Sequence, residues 1–176
     1  IRSDRAEALW TRLMAAGAAF GITALGIEAL MVLRAEKGYI VIGKDSDGLT
    51  LPMDLGVTAP LRRKKGEFIG RRSLVSPEAQ RPDRKQLVGL VVEDGEAPLV
   101  TGAHGVETRD GAKRSIGYVT SSYVSPGLGR PIALGLIERG ASRHGEVIDI
   151  QHQRTVRQAR IAAPCAFDPA GERLNG

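Results

Sequence analysis

The period of apolar and polar positions changes near the middle of the chain. Early on, Leu9, Trp10, Leu13 and Met14 recur at helical spacing behind Asp4 and Glu7, a capping-box-like pair. Residues 4–16 are therefore expected to form an amphipathic helix. Trp10 and Met14 fall on its apolar stripe and are assigned to the core. A glycine-punctuated turn at 17–21 follows. Ile27, Leu30, Met31 and Arg34 then predict a second short helix that stops near Lys37-Gly38. Tyr39–Ile42 is short and β-branched and reads as a strand, and residues 43–52 (GKDSDGLTLP) read as turn chemistry. EFIG at 67–70 is strand-like, and a helix is expected over 71–79, with Pro77 as an internal break or a late start.

Beyond Pro82 the helical period is lost. Residues 85–93, 104–108, 114–124, 131–138, 145–153 and 155–164 read as strands separated by Gly, Pro and Asp, the pattern of an antiparallel sandwich or barrel. Val147, Asp149 and Gln151 alternate with Ile148, Ile150 and His152, the apolar face fading at His152. Pro126 and the GLG at 127–129 mark an ordered bend. The fold class is α+β: a helical first part and basic connector over 1–80, then an all-β region over 81–176.

Composition narrows the class. The chain has 176 residues, of which 42% are hydrophobic and 26% charged, enough for one globular domain or one and a half. Disorder, collagen and coiled coil are excluded as global descriptions. Aromatic residues are only 4%, which argues against a surface that stacks nucleic-acid bases. The net charge of +5 is concentrated: residues 62–85 hold nine Lys or Arg against Glu67, Glu78 and Asp83, which is +6 there and −1 elsewhere. Such a band attracts anions. No nucleic-acid motif accompanies it, so it reads as a solvated face rather than a DNA or RNA interface. Leu13–Leu33 is long enough to span a bilayer. Gly17, Gly21, Gly26 and Glu28 interrupt it, and it reads as two buried soluble elements rather than a membrane span. The single cysteine, Cys165, excludes a disulfide framework and a multi-cysteine metal site. With no signal-peptide pattern, it suggests a reducing, cytoplasmic setting. The start at Ile1, without methionine, suggests a processed or excised piece.

Most motifs that carry chemistry are incomplete. His104, His144 and His152 sit on separate elements without metal-ligand spacing. Asp45-x-Asp47 resembles the start of a calcium loop but has no glutamate at the twelfth position. GxSxG is absent, and Gly127-x-Gly129 lacks the third glycine and the strand–helix context of a dinucleotide fingerprint. The informative run is 33–52, which places Glu36 at a helix end between Arg34 and Lys37; alone, it reads more readily as a surface ion-pair residue.

Further runs extend it: LRAEKGYIVIGKDSDGLTLPMDLG (33–56), KKGEFIGRRSL (64–74), RKQLVGLVVE (84–93), SIGYVTSSYVSPGLGRPIALGLIE (115–138) and AFDPAGERLNG (166–176). In this order and spacing they resemble the glycine-cleavage aminomethyltransferase (T-protein) superfamily. The EKG, the GKD-x-D and the DPAGERL ending are most similar to the C-terminal part of the heterotetrameric sarcosine oxidase α-subunit family. The resemblance covers nearly the whole chain and is specific as a set, although no single motif in it is.

The resemblance implies a tetrahydrofolate-binding module: a partial α/β folate-binding lobe followed by a β-barrel, within a three-lobed ring around the folate. In the sarcosine oxidase branch it implies FAD, FMN and NAD elsewhere in the parent complex, and other subunits of a hetero-oligomer as partners. Flavin oxidation of the substrate's N-methyl group is followed there by trapping of the one-carbon unit as 5,10-methylenetetrahydrofolate, with release of glycine. Trapping by a bound amine relies chiefly on proximity and orientation. Glu36 matches the family glutamate whose carboxylate accepts the 2-amino and N3–H donors of the pterin. Lys64 or Lys65 matches the region where the family places a basic residue, and Arg173 is a candidate for the carboxylate tail. Tyr39 and Tyr123 are candidates for stacking or hydrogen bonding, or for ordinary barrel packing. The family's catalytic aspartate, much of its first lobe and the nucleotide-binding segments would precede residue 1, so the chain alone is expected to lack oxidase activity and to bind folate weakly. Alternatives are a dimethylglycine-oxidising relative, a free-standing aminomethyltransferase, and a non-catalytic folate-binding or assembly module.

Overall fold

The computed structural model describes residues 1–176 apart from Lys65, Glu96 and Gly176, and apart from the side chains of Arg62, Leu174 and Asn175. The chain forms two compact units, Ile1–Met31 and Val32–Gly176.

The first unit holds a 3-10 turn at Ser3–Arg5, helix α1 (Ala6–Gly17), a second 3-10 turn at Ala18–Phe20, and the start of α2 (Ile27–Glu36). The helical spacing in the sequence is real, but the capping box is not. Asp4 lies in the 3-10 turn with its carboxylate accepting from Arg2 Nε and Nη2 at 3.2 and 3.0 Å, and α1 begins after Arg5 with no side-chain cap. The assignment of Trp10 and Met14 to the core is also corrected: Trp10 is 57% exposed, Met14 only half-buried, and no residue of Ile1–Met31 is buried. A unit this small has too little volume to enclose its own apolar stripe. The two elements of the Leu13–Leu33 run are for the same reason largely exposed rather than buried. Among the described residues no helix is long and apolar enough to cross a membrane.

Between α2 and the barrel, local side-chain bonding overrides propensity. Tyr39–Ile42 is not a strand. The Val41 N–H donates to the Asp45 carboxylate at 3.0 Å, and the Val41 carbonyl accepts from the backbone of Lys44 and Asp45, which closes a turn and leaves no ladder to join. EFIG is likewise not a strand, Glu67 and Phe68 being irregular and Ile69 and Gly70 part of a turn, and the expected helix over 71–79 shrinks to a 3-10 turn at Arg72–Val75. Ser76, the residue before Pro77, is extended (ψ 155°), as the proline ring demands. A 3-10 turn at Pro52–Leu55 and helix α3 (Ala59–Arg63), both starting at or beside a proline, were not expected.

The remainder is a closed antiparallel barrel of β1 (Lys85–Val92), β2 (His104–Arg109), β3 (Ala112–Ser125), β4 (Arg130–Glu138), β5 (Val147–His152) and β6 (Thr155–Ala162), in the order β1-β4-β3-β2-β5-β6. All six correspond to strands expected from alternation, and closure decides between barrel and sandwich. The interior is filled by Val88, Leu90, Ile116, Val119, Ile137, Ile148, Ile150 and Ile161, among others. Strand β4 is apolar on both faces because it is buried on both. Ala133 and Ile137 point inward, whereas Ile132, Leu134 and Leu136 pack outward with Leu87 against Ala35 of α2. That outer cluster fixes the last turn of α2 to the barrel wall.

Candidate functional site

Arg34, Ala35 and Glu36 are the buried residues of α2. Ala35 sits on the outer apolar cluster, and its two charged neighbours therefore lie against the barrel wall, where each meets hydroxyls of β3. The helix stops at Gly38, whose φ of +70° is left-handed. A Cβ there would lie 2.8 Å from the Pro164 carbonyl carbon, so glycine also lets the C-terminal segment pass close over the helix end.

Glu36 is 4% exposed. The Ser125 hydroxyl donates to its Oε1 in a short hydrogen bond. Ser125 Oγ in turn accepts the Leu128 N–H at 3.0 Å, inside the bend expected at 126–129. Among the described residues Oε2 has no hydrogen-bond partner, and it is not enclosed. The Glu36 carbonyl, one of the acceptors that a helix end leaves open, takes both the Ala166 and Phe167 N–H groups at 2.9 Å. Gly127 completes the surround: a Cβ on it would lie 3.5 Å from Glu36 Oε1 and 3.3 Å from the Phe167 ring.

The C-terminal segment is thus strapped to the helix end. Lys37 Nζ donates to the carbonyl of Asp168 at 2.5 Å and to its carboxylate at 3.2 Å. Burial would raise the Asp168 carboxyl, but the Lys37 hydrogen bond and the Glu172 N–H outweigh it and hold it below the usual carboxylate value. Further along, the Arg173 guanidinium lies 5.2 Å from the centre of the Phe167 ring. A cavity of about 220 Å³ opens alongside, bounded by Ala35, Gly89, Arg130, Ile132, Pro164 and Ala166.

A second carboxylate, Asp45, pairs with Arg34, two residues before Glu36 on α2. Asp45 is fully buried, and its Oδ1 accepts from Thr120 and Ser121 at 2.6 and 2.7 Å. These consecutive hydroxyls reach one oxygen because the β3–β4 register shifts between Val119 and Ser121, a bulge that breaks the alternation. Asp45 Oδ2 takes the Val41 N–H and a short ion pair from Arg34. Arg34 also donates to Ser121 Oγ at 2.6 Å and to Tyr123 OH at 3.4 Å, while its Nε is buried without a partner. Burial would raise the Tyr123 phenol, but hydrogen bonds from Lys44 and Arg34 prevail and lower it. The Asp45-x-Asp47 pair that resembled a calcium loop is consumed differently, since Asp47 accepts from Thr50 and Tyr118. No cluster of three His, Cys, Asp or Glu among the described residues could hold a metal ion.

Of the candidate residues, Glu36 and Arg173 are brought into one neighbourhood through Phe167. Tyr39 is 61% exposed and is tied by its main chain to Arg34, not by its ring. Lys64 follows α3 and lies 5.1 Å from the Phe68 ring centre. Lys65 is outside the described residues. No hydrogen bond or ion pair joins Tyr39 or Lys64 to Glu36 among the described residues. Sequence reasoning missed Ser125, Gly127, Phe167 and the Arg34–Asp45 pair. The signal for part of it was present: Ser121, Tyr123 and Ser125 follow each other at period two on one strand, facing a helix end that carries Arg34 and Glu36.

The chain thus places a helix end and a C-terminal strap on the outer wall of a closed six-stranded barrel. Residues 85–168 match the family model of the glycine cleavage T-protein C-terminal barrel domain, and residues 1–65 that of the GCVT N-terminal domain. The chain superposes on glycine cleavage system aminomethyltransferase T from Bartonella henselae with a TM-score of 0.74 at 23% identity, covering 93% of this chain and 44% of that one. The chain belongs to the glycine cleavage T-protein family. It is similar to sarcosine oxidase subunit alpha of Corynebacterium sp. strain P-1, at 39% identity over 96% of this chain and 18% of the relative. The corresponding subunit of Rhizobium meliloti is 37% identical over 96% of this chain and 17% of its own length. The aminomethyltransferase of Halothermothrix orenii is 35% identical over 84% of this chain and 40% of its own. The chain thus spans under a fifth of the sarcosine oxidase subunits and well under half of the aminomethyltransferases.

Proposed function

We propose that this chain is the tetrahydrofolate-binding region of an α subunit of sarcosine oxidase type, and that it helps pass the one-carbon unit of oxidised sarcosine to tetrahydrofolate, giving 5,10-methylenetetrahydrofolate and glycine. The higher identity to the α subunits, over more of the chain, favours this branch over a free-standing aminomethyltransferase. In this reading FAD, FMN, NAD and the partner subunits belong to other parts of a cytoplasmic complex, and residues 1–80 contribute part of a folate-binding lobe.

One observation carries the proposal: a nearly buried carboxylate at Glu36 that is only partly satisfied. Ser125 occupies Oε1 from the barrel side, while Oε2 has no protein partner among the described residues and is not enclosed, so it is open to further donors. Each carboxylate oxygen accepts two hydrogen bonds, so Ser125 leaves Glu36 room for a planar pair of donors. A pterin edge offers such a pair, its 2-amino group and its N3–H. Arg173, held over Phe167, supplies a cation for the carboxylates of the glutamyl tail. Lys64 and Lys65 are further candidates for that tail, and Tyr39 for a ring contact. Tetrahydrofolate, when bound, supplies the amine nitrogens that take up the one-carbon unit; the residues of this chain hold and orient it.

Calorimetry of tetrahydrofolate binding to the intact protein tests the reading. Glu36→Gln removes two charge-assisted hydrogen bonds and is expected to weaken binding by about 3 kcal/mol, roughly a hundredfold. Absence of binding heat in the wild type, or unchanged affinity in the variant, overturns it.

A further inference from the structure

We propose that Ser125 is a positioning residue that sets the rotation of the Glu36 carboxylate, so that the site selects ligands with two adjacent donors over ligands with one. This inference rests on the proposed folate reading and concerns the selectivity of the same site.

The geometry runs as a chain of fixed donors. The Leu128 N–H occupies a lone pair of Ser125 Oγ at 3.0 Å, from within the bend that follows β3. The hydroxyl has a single hydrogen, and that hydrogen is committed to Glu36 Oε1. Ser125 is itself fully buried, so its hydroxyl has no competing water. Oε1 is therefore pinned to β3, and the plane of the carboxylate is fixed about the side chain's last torsion, which is otherwise broad. From the other side the Glu36 carbonyl is held by Ala166 and Phe167, so the backbone carrying the side chain is also clamped. A Cβ at Gly127 would make only ordinary contact with Oε1 at 3.5 Å but would press on the Phe167 ring at 3.3 Å, so glycine lets that ring close over the bend. A carboxylate held in one plane meets a planar two-donor edge without an entropic cost of ordering, whereas a rotating one gains little from the second donor.

The test is a comparison of two ligands in three proteins. Affinities of the intact protein are measured for tetrahydrofolate and for its 2-desamino analogue, which keeps the ring and tail but lacks one donor. Wild type is expected to prefer tetrahydrofolate by about thirtyfold or more. In Ser125→Ala the preference should fall to about threefold, and Ser125→Thr, which restores the hydroxyl, should recover most of it. A role confined to fold stability would weaken both ligands by the same factor and leave the preference unchanged. If wild type shows no preference, the pterin-edge reading of Glu36 itself fails. If wild type prefers tetrahydrofolate and Ser125→Ala keeps that preference, the pterin edge stands and the positioning role is overturned. Should Ser125→Ala not fold, Ser125→Cys, similar in size but a weak donor, is read by the same ratio.

Discussion

Two carboxylates stand against the same strand and are treated in opposite ways. Asp45 is saturated: Thr120, Ser121, the Val41 N–H and Arg34 all converge on it. Glu36 lies almost as deep, yet Ser125 is its one side-chain hydrogen-bond partner among the described residues. A carboxylate whose oxygens are all taken by protein donors holds a structure in register; one with an oxygen left open to its surroundings can accept from a ligand. The contrast marks Asp45 as a structural acid and leaves Glu36 open for the ligand-binding role proposed for it.

The strongest way to break this contrast is to neutralise each acid in turn and measure unfolding. Asp45→Ala leaves Arg34 buried and unpaired, beside an Nε that already lacks a partner, and should cost about 3–5 kcal/mol. Glu36→Gln keeps an oxygen to accept from Ser125 while removing a buried charge, so its stability should stay within about 1 kcal/mol of wild type or rise. Equal losses in denaturant titrations of the two variants would erase the distinction and make Glu36 a structural residue.

Much of the barrel was legible because its strands alternate and are punctuated by Gly, Pro and Asp, and β4 betrayed its two-sided burial by an unbroken apolar run. The connector was not legible. Tyr39–Ile42 has the composition of a strand, but Asp45 takes the Val41 N–H and folds it into a turn, a contact invisible to local propensity. The core assignment of Trp10 failed for a different reason, since helical spacing shows which face is apolar but not whether anything encloses it. For the site, the family pattern pointed to Glu36, Lys64 or Lys65 and Arg173, with Tyr39 as a further candidate, whereas the residues around Glu36 come from a bulged strand, a glycine bend and a strap far along the chain at Ala166 and Phe167. Such groupings depend on register and closure, which no single stretch of sequence encodes.

The strap gives a smaller and more local effect. Lys37→Met removes its ionic anchor on Asp168 but leaves the barrel untouched. Amide exchange at Ala166 and Phe167, whose N–H groups bond the Glu36 carbonyl, should accelerate several-fold, while the amides of β1 and β4 keep their protection. The pH dependence has a definite sign. The Asp168 carboxyl is held below its ordinary 3.8, so its contribution is complete above that value and is lost as pH falls through the lower folded value. Unchanged exchange at Ala166 and Phe167 in the variant would show that the backbone bonds alone hold the strap.

The finest test of the Asp45 side is the pair of tyrosines on β3. Burial raises the Tyr118 phenol, and its hydrogen bond to Asp47 adds to that, pushing it up to about 12. Tyr123 is pulled the other way: burial is overcome by Lys44 at 2.8 Å and by Arg34, which favour the phenolate and lower its value below the ordinary 10.0. A spectrophotometric titration should therefore resolve an early step that Tyr123→Phe abolishes and a late one that it leaves in place. A depressed folded value contributes stability above the unfolded pKa and loses it as pH falls through the folded one. The Tyr123→Phe variant should consequently lose more stability, relative to wild type, at pH 10 than at pH 7. An equal loss at both values would mean that Arg34 and Lys44 pack against the ring without favouring its ionised form, and that the cationic side of the Asp45 network ends at Arg34.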